Sequence, residues 1–134
     1  MMMDYETPED LLYTEDHEWL RREADADDEV TIGITDFAQE QVGDVVYLEL
    51  PADGTALTAG EPFGEIESAK TVAELFAPVS GVLIASNTEL EERPELVNES
   101  PYGDGWIVRV RVSNADELDG LMDAEAYRAQ LPED

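Results

Sequence analysis

The stretch from residue 63 to residue 78 constrains the fold of this chain more than any other. Two runs, 63–67 and 72–76, each mix apolar with acidic or small residues, which is typical of strands buried on one face. The residues between them, Ser68-Ala69-Lys70-Thr71, are small or polar, as a tight connection requires. This pattern predicts a β-hairpin with Lys70 at its tip.

Lys70 is the only lysine in the chain. An amine at an exposed tip can be acylated by another enzyme, and the attached group can then swing. A chain with 34 acidic residues could place lysines anywhere to relieve its charge, yet it has this one. The alternative is an ordinary surface lysine in a lysine-poor protein, and the flanking residues have to decide between the two.

The charge of the chain excludes several kinds of partner. Its 134 residues suit one domain, and the net charge is −27 with a hydrophobic fraction of 43%. Such a chain is repelled by nucleic acid and by anionic membranes, so we expect neither as a partner. Carboxylates in this excess need counterions, which predicts a protein of concentrated salt and a halophilic source.

The absence of cysteine excludes disulfides, thiolate metal sites and a cysteine nucleophile. No metal site is expected, because the single histidine, His17, cannot bind a metal alone and no acidic loop has the calcium-binding spacing. No nucleophile-and-base arrangement or phosphate loop indicates an enzyme. Neither a signal peptide nor a membrane span is recognisable, so the sequence predicts a soluble, cytoplasmic protein.

The remaining pattern predicts a mainly β chain with a few short helices. Strands are expected at 16–22, 30–34, 44–50, 82–86 and 106–112, with the first two paired as a hairpin. Helical turns are expected at 35–43 and 88–93. Thr35 or Asp36 can cap the first of these, and Gly43 can end it with positive φ. A helical tail is expected from residue 117 to residue 131, started by Asn114 or Asp116.

Several short motifs, in order and at consistent spacing, resemble the H protein family of the glycine cleavage system. They are Tyr13-Thr14, His17-Glu18-Trp19, Gly33-Ile34-Thr35-Asp36-Phe37-Ala38-Gln39, Leu48-Glu49-Leu50-Pro51, Glu67-Ser68-Ala69-Lys70, Ala77-Pro78-Val79-Ser80-Gly81, Asn87, Pro94-Glu95-Leu96-Val97-Asn98 and Pro101-Tyr102-Gly103-Asp104-Gly105-Trp106. The resemblance implies a barrel-sandwich hybrid like that of lipoyl and biotinyl carriers. The match runs from about residue 11 to residue 112, so we expect a flexible start, 1–10, a carrier domain, 11–112, and a helical extension packed on it, 113–134.

The same resemblance implies a carrier without a catalytic centre. Lys70 aligns with the lysine that holds lipoic acid in amide linkage. In the family, the lipoyl arm takes an aminomethyl group from glycine decarboxylase to the aminomethyltransferase, and dihydrolipoamide dehydrogenase reoxidises the arm. A lipoate-attaching enzyme is a further implied partner, and we expect the carrier to be a monomer.

The other candidate site residues surround the lysine or lie in the N-terminal motif. Glu67, Ser68, Ala69 and Thr71 are candidates for recognition by the attaching enzyme, although a solvated hairpin charge explains Glu67 nearly as well. His17 is a candidate for contact with the loaded arm, against the alternative of a structural histidine.

Three other functions stay open on the residues alone. A biotin carrier usually has methionine on both sides of the lysine, where this chain has Ala69 and Thr71. A lipoyl domain of a 2-oxo acid dehydrogenase usually has aspartate before the lysine and lacks the His17-Glu18-Trp19 motif. A lipoyl relay, which donates its lipoyl group to other enzymes, has no sequence feature that excludes it.

Overall fold

The structure, a computed structural model, describes residues 5–23 and 28–131. Its strands are β1 (Leu12–Tyr13), β2 (Glu18–Arg22), β3 (Glu29–Ile34), β4 (Val45–Glu49), β5 (Ala56–Leu57), β6 (Pro62–Ser68), β7 (Val72–Phe76), β8 (Gly81–Ser86) and β9 (Val108–Val112). Its helices are α1 (Asp36–Val42), α2 (Glu89–Glu92), α3 (Leu96–Glu99) and α4 (Ala124–Gln130), with a 3-10 helix at Ala115–Gly120. Residues 24–27 of the predicted acidic turn lie outside the described residues.

Two antiparallel sheets form the body of the molecule. The larger sheet has the strand order β1-β2-β3-β9-β8-β5, and the smaller has the order β4-β6-β7. The predicted hairpin between β2 and β3 is present, with Glu18 opposite Ile34 and Arg22 opposite Val30. The predicted fold class, mainly β with a few short helices and a helical C-terminal part, is confirmed.

One hydrophobic core joins the two sheets. Both strands of the hairpin contribute to it, Ile66 from β6 and Leu75 from β7, and both side chains are buried. They pack with buried residues of the larger sheet, including Leu20, Ile32, Leu83 and Val110. Burying an aliphatic side chain of this size contributes about 1.5–3 kcal/mol. The inner face therefore anchors the hairpin, and the residues of its tip are exposed.

Helix α1 has both of the predicted caps. The Thr35 Oγ1 accepts a hydrogen bond from the Ala38 N–H at 3.2 Å. At the other end, the Gly43 N–H donates to the Gln39 carbonyl at 3.0 Å with φ of +88°. Residues with a Cβ rarely adopt such a φ, which explains a glycine at this position.

The C-terminal part is two short helices and not the single helical tail predicted for residues 117–131. Met122 interrupts it, because its backbone pairs with that of Tyr13 through two hydrogen bonds of 2.8 and 2.9 Å. Asp123 then starts α4 by accepting from the Ala126 N–H at 2.8 Å. The Tyr127 ring of α4 stacks on Tyr13 with centroids 4.6 Å apart. The backbone pairing of Met122 with Tyr13 thus prevents the continuous helix that the helical periodicity of the sequence predicted.

The described part of the N-terminal segment contacts the start of α1. The Glu6 N–H donates to the Asp36 carboxylate at 3.0 Å, and the Tyr5 ring meets Phe37 edge to face at 5.1 Å. The Arg128 Nε donates to the Thr7 hydroxyl at 2.8 Å. Residues 1–4 and 132–134 of the proposed terminal segments lie outside the described residues.

None of the helices in the described ranges is long and apolar enough to cross a bilayer. The longest α-helices there, α1 and α4, have seven residues each, whereas a membrane-spanning helix needs about 20.

Carboxylate repulsion should make the stability of the fold depend on salt. Glu49, Glu65 and Glu74 are direct neighbours across the smaller sheet, and like charges so placed destabilise a sheet. Molar salt shortens the Debye length to about 3 Å and screens this repulsion. We expect the thermal midpoint without added salt to be lower than in molar potassium chloride by roughly 10 °C or more, which corresponds to about 3 kcal/mol. Calorimetry at both salt levels tests this.

The Glu65→Gln variant lacks the central carboxylate of this row. Its thermal midpoints with and without salt should therefore differ by less than those of the wild type. A wild-type midpoint that is higher without salt would contradict the prediction.

Candidate functional site

Lys70 lies in a three-residue connection, residues 69–71, between β6 and β7. The Ser68 N–H donates to the Thr71 carbonyl at 2.8 Å and closes the ladder. The Ser68 Oγ accepts from the N–H groups of Lys70, at 3.2 Å, and Thr71, at 3.0 Å. A serine hydroxyl thereby satisfies the two turn donors, and neither Ala69 nor Lys70 needs a positive φ. The predicted hairpin and its tip are confirmed.

The Lys70 side chain is exposed and lies over Gly43 at the end of α1. A Cβ built on Gly43 would stand 3.0 Å from the Lys70 Cε. Among the described residues, no carboxylate forms an ion pair with the Lys70 ammonium group, although the chain has 34 acidic residues. The amine can therefore reach a second protein without first breaking an ion pair.

A single amide, Asn98 of α3, holds the backbone on which this tip rests. Its Oδ1 accepts from the Val45 N–H at 2.9 Å, and its Nδ2 donates to the Gly43 carbonyl at 2.8 Å and to the Gln39 side chain at 3.0 Å. Between Gly43 and Val45, the Asp44 carbonyl accepts from the Ala69 N–H at 3.3 Å. Asn98 therefore fixes the segment that contacts the lysine turn.

We expect Asn98→Ala to destabilise the protein by about 2 kcal/mol, because it leaves part-buried donors and acceptors unpaired. Denaturant unfolding measures the effect. Asn114→Ala is the matched control: the Asn114 side chain accepts from the Asp116 N–H at 3.1 Å at an exposed position, so we expect it to cost at most about 1 kcal/mol. If both variants lose the same free energy of unfolding, the Asn98 contacts stabilise the protein no more than the exposed Asn114 contact does.

The structure brings four of the predicted site residues together around Lys70. Ala69 and Thr71 are exposed in the turn, Ser68 forms its hydrogen bonds, and Glu67 is half-buried opposite Tyr47 and Val72. Their roles in recognition stay predictions.

His17 lies at the other end of α1 from Lys70. Its Nδ1 is 2.8 Å from the Tyr127 Oη, which is 2.7 Å from the Oγ1 of Thr35, the residue that caps the start of α1. Its ring packs on Phe37 with centroids 4.7 Å apart. Burial lowers the pKa of His17, which favours the neutral ring at neutral pH. Helix α1 therefore stands between His17 and the lysine turn, and arm contact by His17 stays a prediction.

Glu18 is a buried carboxyl to which the sequence analysis assigned no role. It is 3% exposed, and its Oε2 accepts from the Phe76 N–H at 2.9 Å at the end of β7. Its Oε1 has no hydrogen-bond partner among the described residues. Burial raises the pKa of Glu18 to about 8, with the Phe76 hydrogen bond opposing the shift and Asp16 adding to it. The carboxyl is thus mostly protonated at neutral pH.

No local signal marks Glu18 for burial, since an acidic residue at the start of a strand is usually exposed.

The described residues also contain no group of three or more His, Cys, Asp or Glu side chains that could hold a metal ion.

Comparison with known proteins gives a consistent result. The family model described as Glycine cleavage H-protein matches residues 11–134. The glycine cleavage system H protein of Mycobacterium avium is 56% identical and covers 94% of this chain and 97% of its own length. A probable glycine cleavage system H protein of Haloarcula marismortui is 50% identical, covering 96% and 99%. The crystal structure of a glycine cleavage system H protein from Mycobacterium marinum superposes with a TM-score of 0.82 at 40% identity, covering 92% and 97%.

Proposed function

The chain belongs to the glycine cleavage H-protein family, and we propose that it is the lipoyl-carrying shuttle of a glycine cleavage system, with lipoic acid attached through an amide to Lys70. The attached group supplies a disulfide that accepts the aminomethyl group left when glycine decarboxylase removes carbon dioxide. The aminomethyltransferase and dihydrolipoamide dehydrogenase are the next partners, and a lipoate-attaching enzyme is the first.

One observation carries the proposal: the only lysine of the chain is exposed at the tip of a hairpin anchored in the core. Acylation turns the charged amine into a neutral amide, and no ion pair within the described residues has to be broken for it. The site therefore fits a lipoyl group. In this proposal the chain's part is to present the arm.

A carrier of this kind solves a geometric problem. The active sites of separate enzymes cannot occupy the same place, and a flexible arm on a firm base presents its end to each at high effective concentration. The base here is held from below by Ile66 and Leu75 and from the side by Asn98. A tip held this way presents the attached group in the same orientation to successive partners.

Reconstitution tests the proposal. The unmodified protein is treated with a lipoate-attaching enzyme, and mass spectrometry locates the adduct, expected on Lys70. The modified protein is then combined with glycine decarboxylase, and the exchange of glycine carboxyl carbon with labelled bicarbonate is measured. Exchange that requires the modified carrier supports the shuttle.

Two other results would contradict the shuttle. A lipoylated protein that supports no exchange but donates its lipoyl group to other enzymes would be a relay. A biotinylated Lys70 in protein isolated from its host would make the chain a biotin carrier.

The role of His17 and of the turn residues belongs to the same proposal. We expect the attaching enzyme to recognise the residues next to the amine in the hairpin, which are Glu67, Ser68, Ala69 and Thr71. Contact of the loaded arm with His17 requires the arm to reach past α1 to the pair formed by His17 and Tyr127.

A further inference from the structure

Helix α4, near the end of the chain, is joined to the start of α1 through one tyrosine. The Tyr127 side chain is buried, and its ring stacks on that of Tyr13. Its Oη lies 2.8 Å from the His17 Nδ1 and 2.7 Å from the Thr35 Oγ1. Tyr127 therefore connects α4 both to the residue that caps α1 and to the only histidine of the chain, whose ring titrates near neutral pH.

The hydrogen bonds around Tyr127 fit a neutral His17 ring. The Nδ1 of this ring accepts from the Tyr127 hydroxyl, which in turn accepts from the Thr35 hydroxyl. The Thr35 Oγ1 accepts from the Ala38 N–H, so each hydroxyl both donates and accepts. A protonated ring would instead donate to Tyr127, and Tyr127 would donate to Thr35. The buried Thr35 hydroxyl proton would then have no acceptor among these contacts, so protonation costs a hydrogen bond besides the burial of a charge.

The residues beside His17 in its own segment do not compensate for this cost. Burial lowers the pKa of His17 and outweighs the Asp16 carboxylate, which favours the proton. The neighbouring Glu18 carboxyl accepts from the Phe76 N–H and is mostly protonated at neutral pH. The His17 backbone has a φ of +66°, and no other non-glycine residue in the described ranges has a positive φ. The surrounding contacts hold this strained conformation in place.

Helices α1 and α4 supply the other groups near the His17 ring. From α1, Phe37 packs on the ring, and the adjacent Asp36 carboxylate accepts hydrogen bonds from two other residues. From α4, Tyr127 stays neutral because burial raises its pKa to about 12, and Arg128 donates to the N-terminal segment. Within the described residues, no carboxylate forms an ion pair with the ring.

We infer that the pair of His17 and Tyr127 is a proton-controlled latch: neutral His17 holds α4 closed on the start of α1, and protonation of His17 releases α4. The inference does not depend on the proposed function, because the latch residues belong to the unmodified chain. The other end of α1 is capped by Gly43, over which the Lys70 side chain lies. Opening of the latch therefore uncovers the start of the helix whose end contacts the lysine turn.

The pH dependence of the latch follows from the two states of the ring. In the open state the ring is hydrated and has its ordinary pKa of 6.5, whereas the pKa in the closed state is lower. Above pH 6.5 both states are neutral, so the closed state has its full stability. As the pH falls from 6.5 towards the lower pKa, only the open state takes up a proton, and the closed fraction decreases. The equilibrium shifts towards opening by up to about tenfold per pH unit in this window.

Amide hydrogen exchange of the full chain in molar potassium chloride, from pH 5 to pH 8, tests the inference. The rates are corrected for the intrinsic pH dependence of amide exchange, so that they report opening. We expect the protection of α4 to be constant above pH 6.5 and to fall below it by up to about tenfold per pH unit. The amides of β9 report unfolding of the whole domain and should lose no protection in this window.

Three variants identify the groups involved. His17→Asn removes the titrating ring with a residue that tolerates positive φ, so its α4 protection should not depend on pH. Tyr127→Phe removes only the hydroxyl, and we expect its α4 protection at pH 8 to be about tenfold below that of the wild type. Tyr102→Phe is the matched control, because that hydroxyl bonds the backbones of Asp36 and Glu6. It should keep the wild-type pH slope of α4.

A direct titration of the ring tests the latch even if a variant does not fold. His17 is the only histidine, so its ring resonances in untagged protein are assigned without mutation. We expect a midpoint below 6.5. A midpoint at or above that value, pH-independent α4 protection in the wild type, or a slope that survives in His17→Asn would overturn the latch. Unchanged α4 protection in Tyr127→Phe, or an equal loss of protection in β9, would also overturn it.

Discussion

Lys70→Arg is expected to abolish lipoylation and reduce glycine–bicarbonate exchange to the level without carrier, a loss of at least about a thousandfold. Arginine keeps the positive charge but its guanidinium stays protonated and is not acylated in place of an amine. Because the side chain is exposed and forms no ion pair within the described residues, the substitution should leave the fold intact. Intact mass and exchange rate are the two measurements.

The matched control is the double variant Lys70→Arg with Thr71→Lys, which places a lysine amine one position further along the chain. Thr71 is exposed and its backbone already belongs to the turn, so the chain again has one accessible lysine. We expect poor lipoylation of this variant, because the amine has left the position over Gly43. Full exchange by the Lys70→Arg protein would remove the basis of the carrier proposal.

Glu18→Gln is expected to make the protein more stable than wild type at alkaline pH, by about 5 kcal/mol at pH 9. Burial raises the folded pKa of Glu18 to about 8 from an ordinary 4.5. Between these values the unfolded chain has lost the proton and the folded chain keeps it, so rising pH favours unfolding by about 1.4 kcal/mol per pH unit. The cost is absent below the unfolded pKa and complete above the folded pKa. Glutamine is neutral throughout and avoids it.

Denaturant unfolding of both proteins from pH 5 to pH 9, in constant molar salt, measures the difference in free energy of unfolding. The difference should rise with pH and level off above pH 8. Glu74→Gln removes the same formal charge from an exposed position and is the control, which should not reproduce the slope. A flat difference for Glu18→Gln would mean that this carboxyl is ionised in the folded protein throughout the range.

The local sequence pattern correctly predicted the hairpin and the ends of α1, because residues close together in the chain decide these structures. The runs on either side of Lys70 predicted the hairpin, because the alternation of β6 and β7 is read within each strand. Thr35 and Gly43 predicted the ends of α1 for the same reason: caps act within one helical turn. The prediction of a continuous C-terminal helix was wrong, because the Met122 backbone pairs with that of Tyr13, which is far away in sequence.

The features of the site that were not predicted all depend on contacts distant in sequence. Glu18 is buried and bonded to the Phe76 backbone, 58 residues further along the chain. Asn98 supports the lysine turn across 53 residues through Val45. The bulge in β4 exposes Val46 and Tyr47 near Val72 of another strand. No periodicity within one strand contains this information.

The amino-acid sequence by itself determined the single lysine, the acidic charge of −27 and the hairpin whose turn carries Lys70. These follow from composition and from short-range backbone preferences. Only the tertiary structure decided that Glu18 is buried, with one oxygen that has no hydrogen-bond partner among the described residues, and that α1 separates His17 from Lys70. It also decided that Glu49, Glu65 and Glu74 are neighbours across the smaller sheet. Desolvation and proximity arise when strands distant in the chain meet, so they belong to the fold and not to any one segment.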